Sequence, residues 1–398
     1  MYGPRATQVS RLLAQLPALG WRPTVVCLAP RRGGPHWLDA NSNEPLPGVD
    51  YLRVPSPEEW SLVRAARRLM PPLRNRPDSS RLWVPGAARA AETAMKGRDV
   101  DGVITFAQPW SDHLVGLRLR RSRNIPWVAH FSDPWAASPY ATERQRSIWR
   151  RMEVEVIRNA TAVVFVTHET ADLTMAAYPA EWRGKVAVVP HGYDASLAPP
   201  RPAASRSAGQ PLRLVYTGRF YSGIRTPMPL LHALAALDRE APVRGAVEVS
   251  FVGPYVEEFR RSASILGIDR FVTFSGRVPP HEAARLAATA DVLLVIDAPS
   301  PTPSVFLPSK LIDYLPYRKP IFGITPVDGA SARLLYRLGC PVAAPDDVAG
   351  IAAVVRNLMA DWRSGTLGVS DTFDRVAAEF DIRCTARRLD EVLNRAFG

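Results

Sequence analysis

Four small groups of residues have the types and spacing for chemistry. The first is Pro308-Ser309-Lys310 with Asp313-Tyr314, preceded by Leu307, inside the run ADVLLVIDAPSPTPSVFLPSKLIDYLPYRKPIFGITP. Lys310 and Asp313 stand three apart, so on a helix they share a face. A cation for phosphate and a carboxylate one turn later for ribose hydroxyls would clamp a nucleotide. A solvated surface ion pair is the plainer alternative. The second group is His130 and Asp133, in PWVAHFSDPW. Either side chain can orient a hydroxyl or take its proton, although Asp133-Pro134 is also a turn and cap signal. The third is Thr217-Gly218-Arg219 with Arg225 beyond it. A planar guanidinium matches phosphate oxygens, and for Arg225 an ordinary loop cation is the competing reading. The fourth is Gly3 and Arg5, ahead of the first helical pattern, where a disordered terminus is the plainer reading.

The elements that must position these groups follow from periodicity. The apolar run 292–296 reads as a buried strand, and 299–304 as a Pro/Ser loop. A helix opens at Pro308-Ser309, with Pro308 in its first turn, where a missing N–H costs nothing. A second buried strand, 321–324, closes a βαβ unit of a parallel sheet. Ligands of such sheets sit beyond the carboxyl ends of strands, where helix N-termini favour phosphate. Further strands are expected at 24–28, 51–54, 103–106, 162–166, 186–189, 212–216 and 247–252. Helices are expected between them, with 111–123 the clearest, and closing helices over 373–397. The stretch 197–211, rich in Pro, Ala and Ser, reads as a linker. Domains are therefore expected at 1–195 and 212–372, with 373–398 returning to the first.

The chain has 398 residues, enough for two domains, and a formal net charge of +12. That charge favours a polyanionic partner: a nucleotide, a nucleic acid or an anionic membrane surface. No interleaved basic and aromatic patch supports nucleic acid. The arginines of 58–81 and of 118–123 are candidates for a membrane surface, against the plainer reading of solvated helices. Cys27, Cys340 and Cys384 form no metal-ligand or disulfide pattern, which is expected of a reducing cytosol. Asp99 and Asp101 precede a strand and read as a turn, not as a metal site. No apolar run is long enough to span a membrane.

These motifs, in this order, resemble the GT-B glycosyltransferases, specifically the large retaining family 4. The donor segment is similar to a subgroup with a PSK-x-x-[ED]-Y pattern followed by KP, here Pro308-Ser309-Lys310, Asp313-Tyr314 and Lys319-Pro320. Many members carry two glutamates eight positions apart; the second falls on Asp313 and the first on Val305, where it is absent. Asp133-Pro134-Trp135 matches a D-x-R-D-P-W pattern, with Ser132 for arginine and His130 for the earlier aspartate. His191-Gly192-Tyr193-Asp194 resembles N-G-x-D, and Val272 to Val278 a V-x-F-x-G-x-V run whose Gly276 approaches the nucleotide base. The family's fold begins with a strand and a glycine-bearing loop, and the sequence opens on the helix that follows them. Either the true start lies upstream or an inner strand has been lost.

The resemblance implies two Rossmann-like α/β domains facing a cleft, with the last helix crossing back. It implies transfer of a sugar, a hexose in most members, from a nucleotide-diphosphate sugar to a hydroxyl acceptor with retention, without cofactor or metal. Arg219, Arg225, Gly218, Gly276, Leu307, Pro308, Ser309, Lys310 and Asp313 would hold the donor. Asp133 and His130 would be catalytic, and Gly3 and Arg5 would approach the acceptor. The Arg-rich first domain points to a sugar or lipid-linked acceptor at the inner face of the membrane, in polysaccharide or envelope glycan assembly. Two alternatives stand: a non-catalytic nucleotide-sugar-binding protein, and a GT-B epimerase.

Overall fold

The computed structural model describes residues 4–29, 45–60, 63, 77–197, 209–221, 223–254, 257–300 and 303–398. Gly3, most of the basic stretch 58–81 and most of the linker 197–211 lie outside the described residues. The chain divides into two compact units, Met1–Gly192 with Ile382–Gly398, and Tyr193–Asp381.

In the first unit the elements are α1 (Pro4–Gln15), β1 (Thr24–Leu28), β2 (Asp50–Val54), α2 (Val84–Ala94), β3 (Val103–Phe106), α3 (Ser111–Arg123), β4 (Trp127–Phe131), α4 (Glu143–Asn159), β5 (Ala162–Phe165), α5 (His168–Met175) and β6 (Val186–Val188). The second unit holds β7 (Leu212–Thr217), α6 (Met228–Glu240), β8 (Val247–Val252), α7 (Glu257–Ile265), β9 (Val272–Gly276), α8 (Pro280–Thr289), β10 (Val292–Ile296), α9 (Ser309–Tyr314), β11 (Ile321–Ile324), α10 (Ala330–Arg337), β12 (Val342–Ala343), α11 (Val348–Ser364) and α12 (Phe373–Ala378). The last helix, α13 (Ile382–Phe397), belongs to the first unit. The segment expected to close as one piece is therefore divided. Phe373, Val376 and Ala377 of α12 pack into the second unit's core, and only α13 returns.

Local chemistry explains where several helices begin. Thr142 and Gln145 form a reciprocal capping box on α4, which satisfies two otherwise orphaned backbone groups. The Thr167 side chain caps α5, and the Asp347 side chain caps α11. Helix α3 ends on Asn124 in the left-handed conformation. Arg120 NH1 donates to the Asn124 and Ile125 carbonyls, and Arg121 pairs with Glu155. Part of the basic cluster at this helix end is thus committed to the helix itself.

All strand pairings are parallel. The second unit's sheet runs β12-β11-β10-β7-β8-β9. The chain moves outward from β7 to β9, then returns to the other side of β7 as β10. Order reverses between β7 and β10, which makes the carboxyl ends of those two strands the crevice for a ligand. Side chains sort with a period of two. Leu212, Leu214 and Tyr216 of β7 and Val292, Leu294 and Ile296 of β10 enter one core layer; Val215, Leu293 and Val295 enter the other.

The first unit's strands form two sheets, β1-β2 and β3-β4-β5-β6, with no hydrogen-bonded pairing between β1 and β3 among the described residues. On β4, Trp127, Ala129 and Phe131 face one core layer. Val128 faces the other, against Val9, Leu12, Leu13 and Leu16 of α1 and Leu389 and Leu393 of α13. His130 has the parity of Val128, so it points to the side that carries α1.

Gly116 of α3 lies against the indole of Trp127, and an added Cβ would be driven into that ring. Gly116→Ala is expected to destabilise the protein by about 1–3 kcal/mol through overpacking. Urea unfolding followed by tryptophan fluorescence measures this; an unchanged midpoint would show that α3 can move away.

Candidate active site

The second unit gathers its polar groups where the strand order reverses. The Lys310 ammonium donates to Tyr216 Oη at 2.8 Å and lies 4.2 Å from the centre of that ring. Tyr216 Oη in turn donates to the Arg219 carbonyl at 3.2 Å. Gly218, at φ +148°, leaves the space beside Lys310, because a Cβ there would overlap the ammonium. Gly253, at φ +132°, has room for no side chain against the Gly218 carbonyl, and its N–H donates to Gly276 O at 2.8 Å. The ends of β7, β8 and β9 therefore present bare backbone side by side, which only glycine permits.

Charge in this group is tightly balanced. Burial, and then Arg225, lower the Lys310 ammonium from 10.5 to about 7, with Asp297 and Asp313 opposing the drop. Asp297 follows β10 directly; Thr325 Oγ1 donates to its carboxylate at 2.9 Å, and burial raises its pKa. Arg225 is tied by two backbone hydrogen bonds to Tyr221, both 2.9 Å, with its guanidinium 5.1 Å from the Tyr221 ring centre. Tyr314 Oη accepts the Thr217 N–H at 2.9 Å, joining α9 to the end of β7.

The expected donor residues thus divide. Gly218, Lys310 and Arg225 come together, with Asp313 half-buried near them. Gly276 closes the neighbouring strand end, and Leu307 packs on the core beneath α9. Arg219 contributes its carbonyl here, while the residue is exposed. Pro308 is a correction: it is extended at the N-cap (φ −66°, ψ 136°) and stands outside the first turn. Ser309 opens a helix of only six residues, so the positive charge comes mainly from Lys310 itself.

The first unit assembles a second group around β4. The Arg5 NH2 group lies 3.0 Å from His130 Nδ1 and 3.5 Å from the His130 carbonyl. Its Cζ is 5.6 Å from the Phe106 ring centre. Arg5 Nε and NH1 are buried with no hydrogen-bond partner among the described residues. Burial lowers this guanidinium to about 10, with Asp133 and Asp112 opposing, so it stays charged at neutral pH. Asp133 receives hydrogen bonds from Ser132 Oγ at 3.1 Å and Gln108 Nε2 at 3.4 Å. Burial raises its pKa, which makes it a better proton acceptor once ionised. His130 is held well below its ordinary 6.5 by burial, then Arg5, His191 and His113. A role for His130 as base at neutral pH meets that obstacle.

Residues not singled out from sequence complete the group. Burial, then Asp78, raise Asp112 to about 8, so it keeps its proton at neutral pH. Asp78 accepts from Ser111 N at 2.9 Å and Ser111 Oγ at 2.7 Å, capping α3. Behind Asp133, buried Glu153 accepts from Ala136 N at 2.7 Å and from Tyr178 Oη at 2.5 Å. Trp135 stacks on Trp110 at 5.0 Å. The turn carrying Asp133 is thereby fixed from below. Asp297 was readable as a polar residue ending an apolar strand; Gln108, Asp112 and Glu153 gave no local signal.

The model of Glycosyltransferase Family 4 matches residues 6–197. Among solved structures, the chain is similar to sucrose-phosphate synthase from Thermosynechococcus elongatus, with TM-score 0.71 and 17% identity over 99% of this chain and 94% of that one. A glycosyltransferase from Rickettsia africae gives TM-score 0.63 and 13% identity over 98% and 94%. WaaG, a glycosyltransferase involved in lipopolysaccharide biosynthesis, gives 0.60 and 14% over 100% and 97%. The fold is GT-B. No curated protein matches the sequence. The family match, with this GT-B fold, supports a glycosyltransferase. No helix among the described residues is long and apolar enough to cross a membrane.

Lys310 gives this GT-B protein a pH signature. The folded lysine releases its proton near 7 and the unfolded one near 10.5, so across that window the unfolded chain binds more protons and stability rises with pH. The stability difference between wild type and Lys310→Met should climb between these values, by up to ~1.4 kcal/mol per pH unit. Urea midpoints measured across pH decide this; a flat difference would mean that Lys310 titrates normally.

Proposed function

We propose that the chain transfers a sugar from a nucleotide-diphosphate sugar to a hydroxyl acceptor with retention. The observation that carries this reading is Lys310 against the bare Gly218 backbone at the reversal of strand order, with the charge of Arg225 acting on it. As the bond from the anomeric carbon to the phosphate oxygen breaks, negative charge grows on the leaving diphosphate. Lys310 and Arg225, with exposed Arg219, stabilise it as it develops. The acceptor oxygen forms its new bond on the face that the phosphate leaves, and its proton passes to Asp133. The positive charge required is supplied by side chains, so the reading needs no metal. Arg5, two of whose buried donors have no partner among the described residues, is proposed to lie on the acceptor side of the reaction.

The acceptor proposed is a sugar or lipid-linked sugar of polysaccharide or envelope glycan assembly, reached from an anionic membrane surface. The net charge of +12 supports it. Binding to vesicles of anionic lipid at physiological salt is the expected result, and its absence would remove the membrane from the proposal.

Thermal unfolding with UDP, GDP and ADP tests the donor half. One nucleotide should raise the melting temperature, and Lys310→Ala should abolish the rise; no shift with any of the three counts against a donor site. For the acceptor half, Asp133→Asn should lower nucleoside diphosphate release by about a hundredfold to ten-thousandfold while leaving the nucleotide-induced shift in place. Unchanged release would move the proton to another group.

A further inference from the structure

Arg5 is in an expensive position. It occupies the first turn of α1, where the helix dipole disfavours a cation. Two of its donor nitrogens are buried without partners among the described residues, which is costly. Its NH2 group lies 3.0 Å from His130 Nδ1. Arginine has donors only, so Nδ1 must present its lone pair, and the single ring proton is left on Nε2. A proton added to Nδ1 would set N–H against N–H. The same terminal nitrogen lies 3.5 Å from the His130 carbonyl, which ties the guanidinium to the strand end as well as to the ring. The ring also packs against Phe106 at 5.1 Å. Docking of α1 on the Val128 face of β4, through Val9, Leu12, Leu13 and Leu16, holds this register.

We infer that Arg5 is a positioning residue that fixes His130 in its Nε2–H tautomer, so that His130 serves the site as a hydrogen-bond donor to a ligand oxygen. Proton acceptance then falls to Asp133. The final step, from tautomer to substrate contact, rests on the proposed transfer reaction; the tautomer itself does not. The charged and titratable groups acting on the imidazole besides Arg5 are His191 and His113. Neither is a donor to Nδ1, so removal of Arg5 leaves that nitrogen free to carry the proton.

The test uses the full chain labelled with 15N-histidine and two-bond 1H–15N correlation spectra at neutral pH, with His130 assigned by its loss in His130→Gln. Wild type should show neutral His130 protonated at Nε2. Arg5→Met, shown to be folded by circular dichroism, should shift His130 toward the Nδ1–H form, and Arg5→Lys, which keeps a donor, should restore the wild-type pattern. A wild-type signal from the Nδ1–H or doubly protonated ring overturns the inference. So does an Arg5→Met spectrum identical to wild type. If Arg5→Met does not fold, the wild-type and Arg5→Lys spectra decide. In turnover, His130→Gln places an amide N–H near the position of Nε2 and should retain at least about tenfold more nucleotide release than His130→Asn; equal losses would refute the donor role. Absence of turnover with every sugar nucleotide would defeat the transfer reading and leave the tautomer result standing.

Discussion

A parallel strand buried on both faces has nowhere to put a polar side chain except at its ends. That constraint organises this protein. All five residues of β4 and all five of β10 are buried, and between their ends they carry nothing to bind or react with. The polar groups collect immediately beyond: Ser132 and Asp133 after β4, Asp297 after β10, Gly218 and Arg219 after β7. His130 is the exception, a polar ring inside the strand, and its position is tolerable because Arg5 reaches it from α1. A site at strand ends is therefore what remains when the strands have been sorted into two core layers.

The first unit solves its burial problem with uncharged imidazoles. Burial first, and then nearby cations, hold His113 and His191 at about 3. Thr105 shows how one ring is set. Its hydroxyl lies 2.9 Å from Trp127 Nε1, which can only donate, and 2.8 Å from His113 Nδ1. The hydroxyl accepts from Trp127, and its contact with Nδ1 holds the His113 ring in place. Arg5 acts on all three rings, and Arg11 acts on His191 as well.

The strands and most helices were legible because their signals are local: apolar runs of strand length and Gly or Pro punctuation. Lys310 and Gly218 were legible too, as polar and small residues placed where a βαβ unit presents them. What escaped reading depends on contacts distant in sequence. Glu153 gains its meaning from Ala136 and Tyr178, and Asp112 from Asp78. The division of the closing segment escaped for the same reason: α12 and α13 have similar amphipathic patterns, and only the core each meets assigns it to a unit. Pro308 was misplaced by one position because its φ suits the first turn and the N-cap equally, and ψ decides.

A lysine whose proton is held loosely near neutral pH makes the site at β7 and β10 a charge regulator rather than a fixed positive post. Burial, and then Arg225, favour release of the Lys310 proton, which relaxes the repulsion between the two cations. On the proposed reading, an anion carrying several charges would recruit the proton back and so generate part of the field that holds it. A weak or singly charged anion would return less of that proton and meet a weaker field. Discrimination between anions would then follow how much protonation each induces, a selectivity that shape alone would not provide.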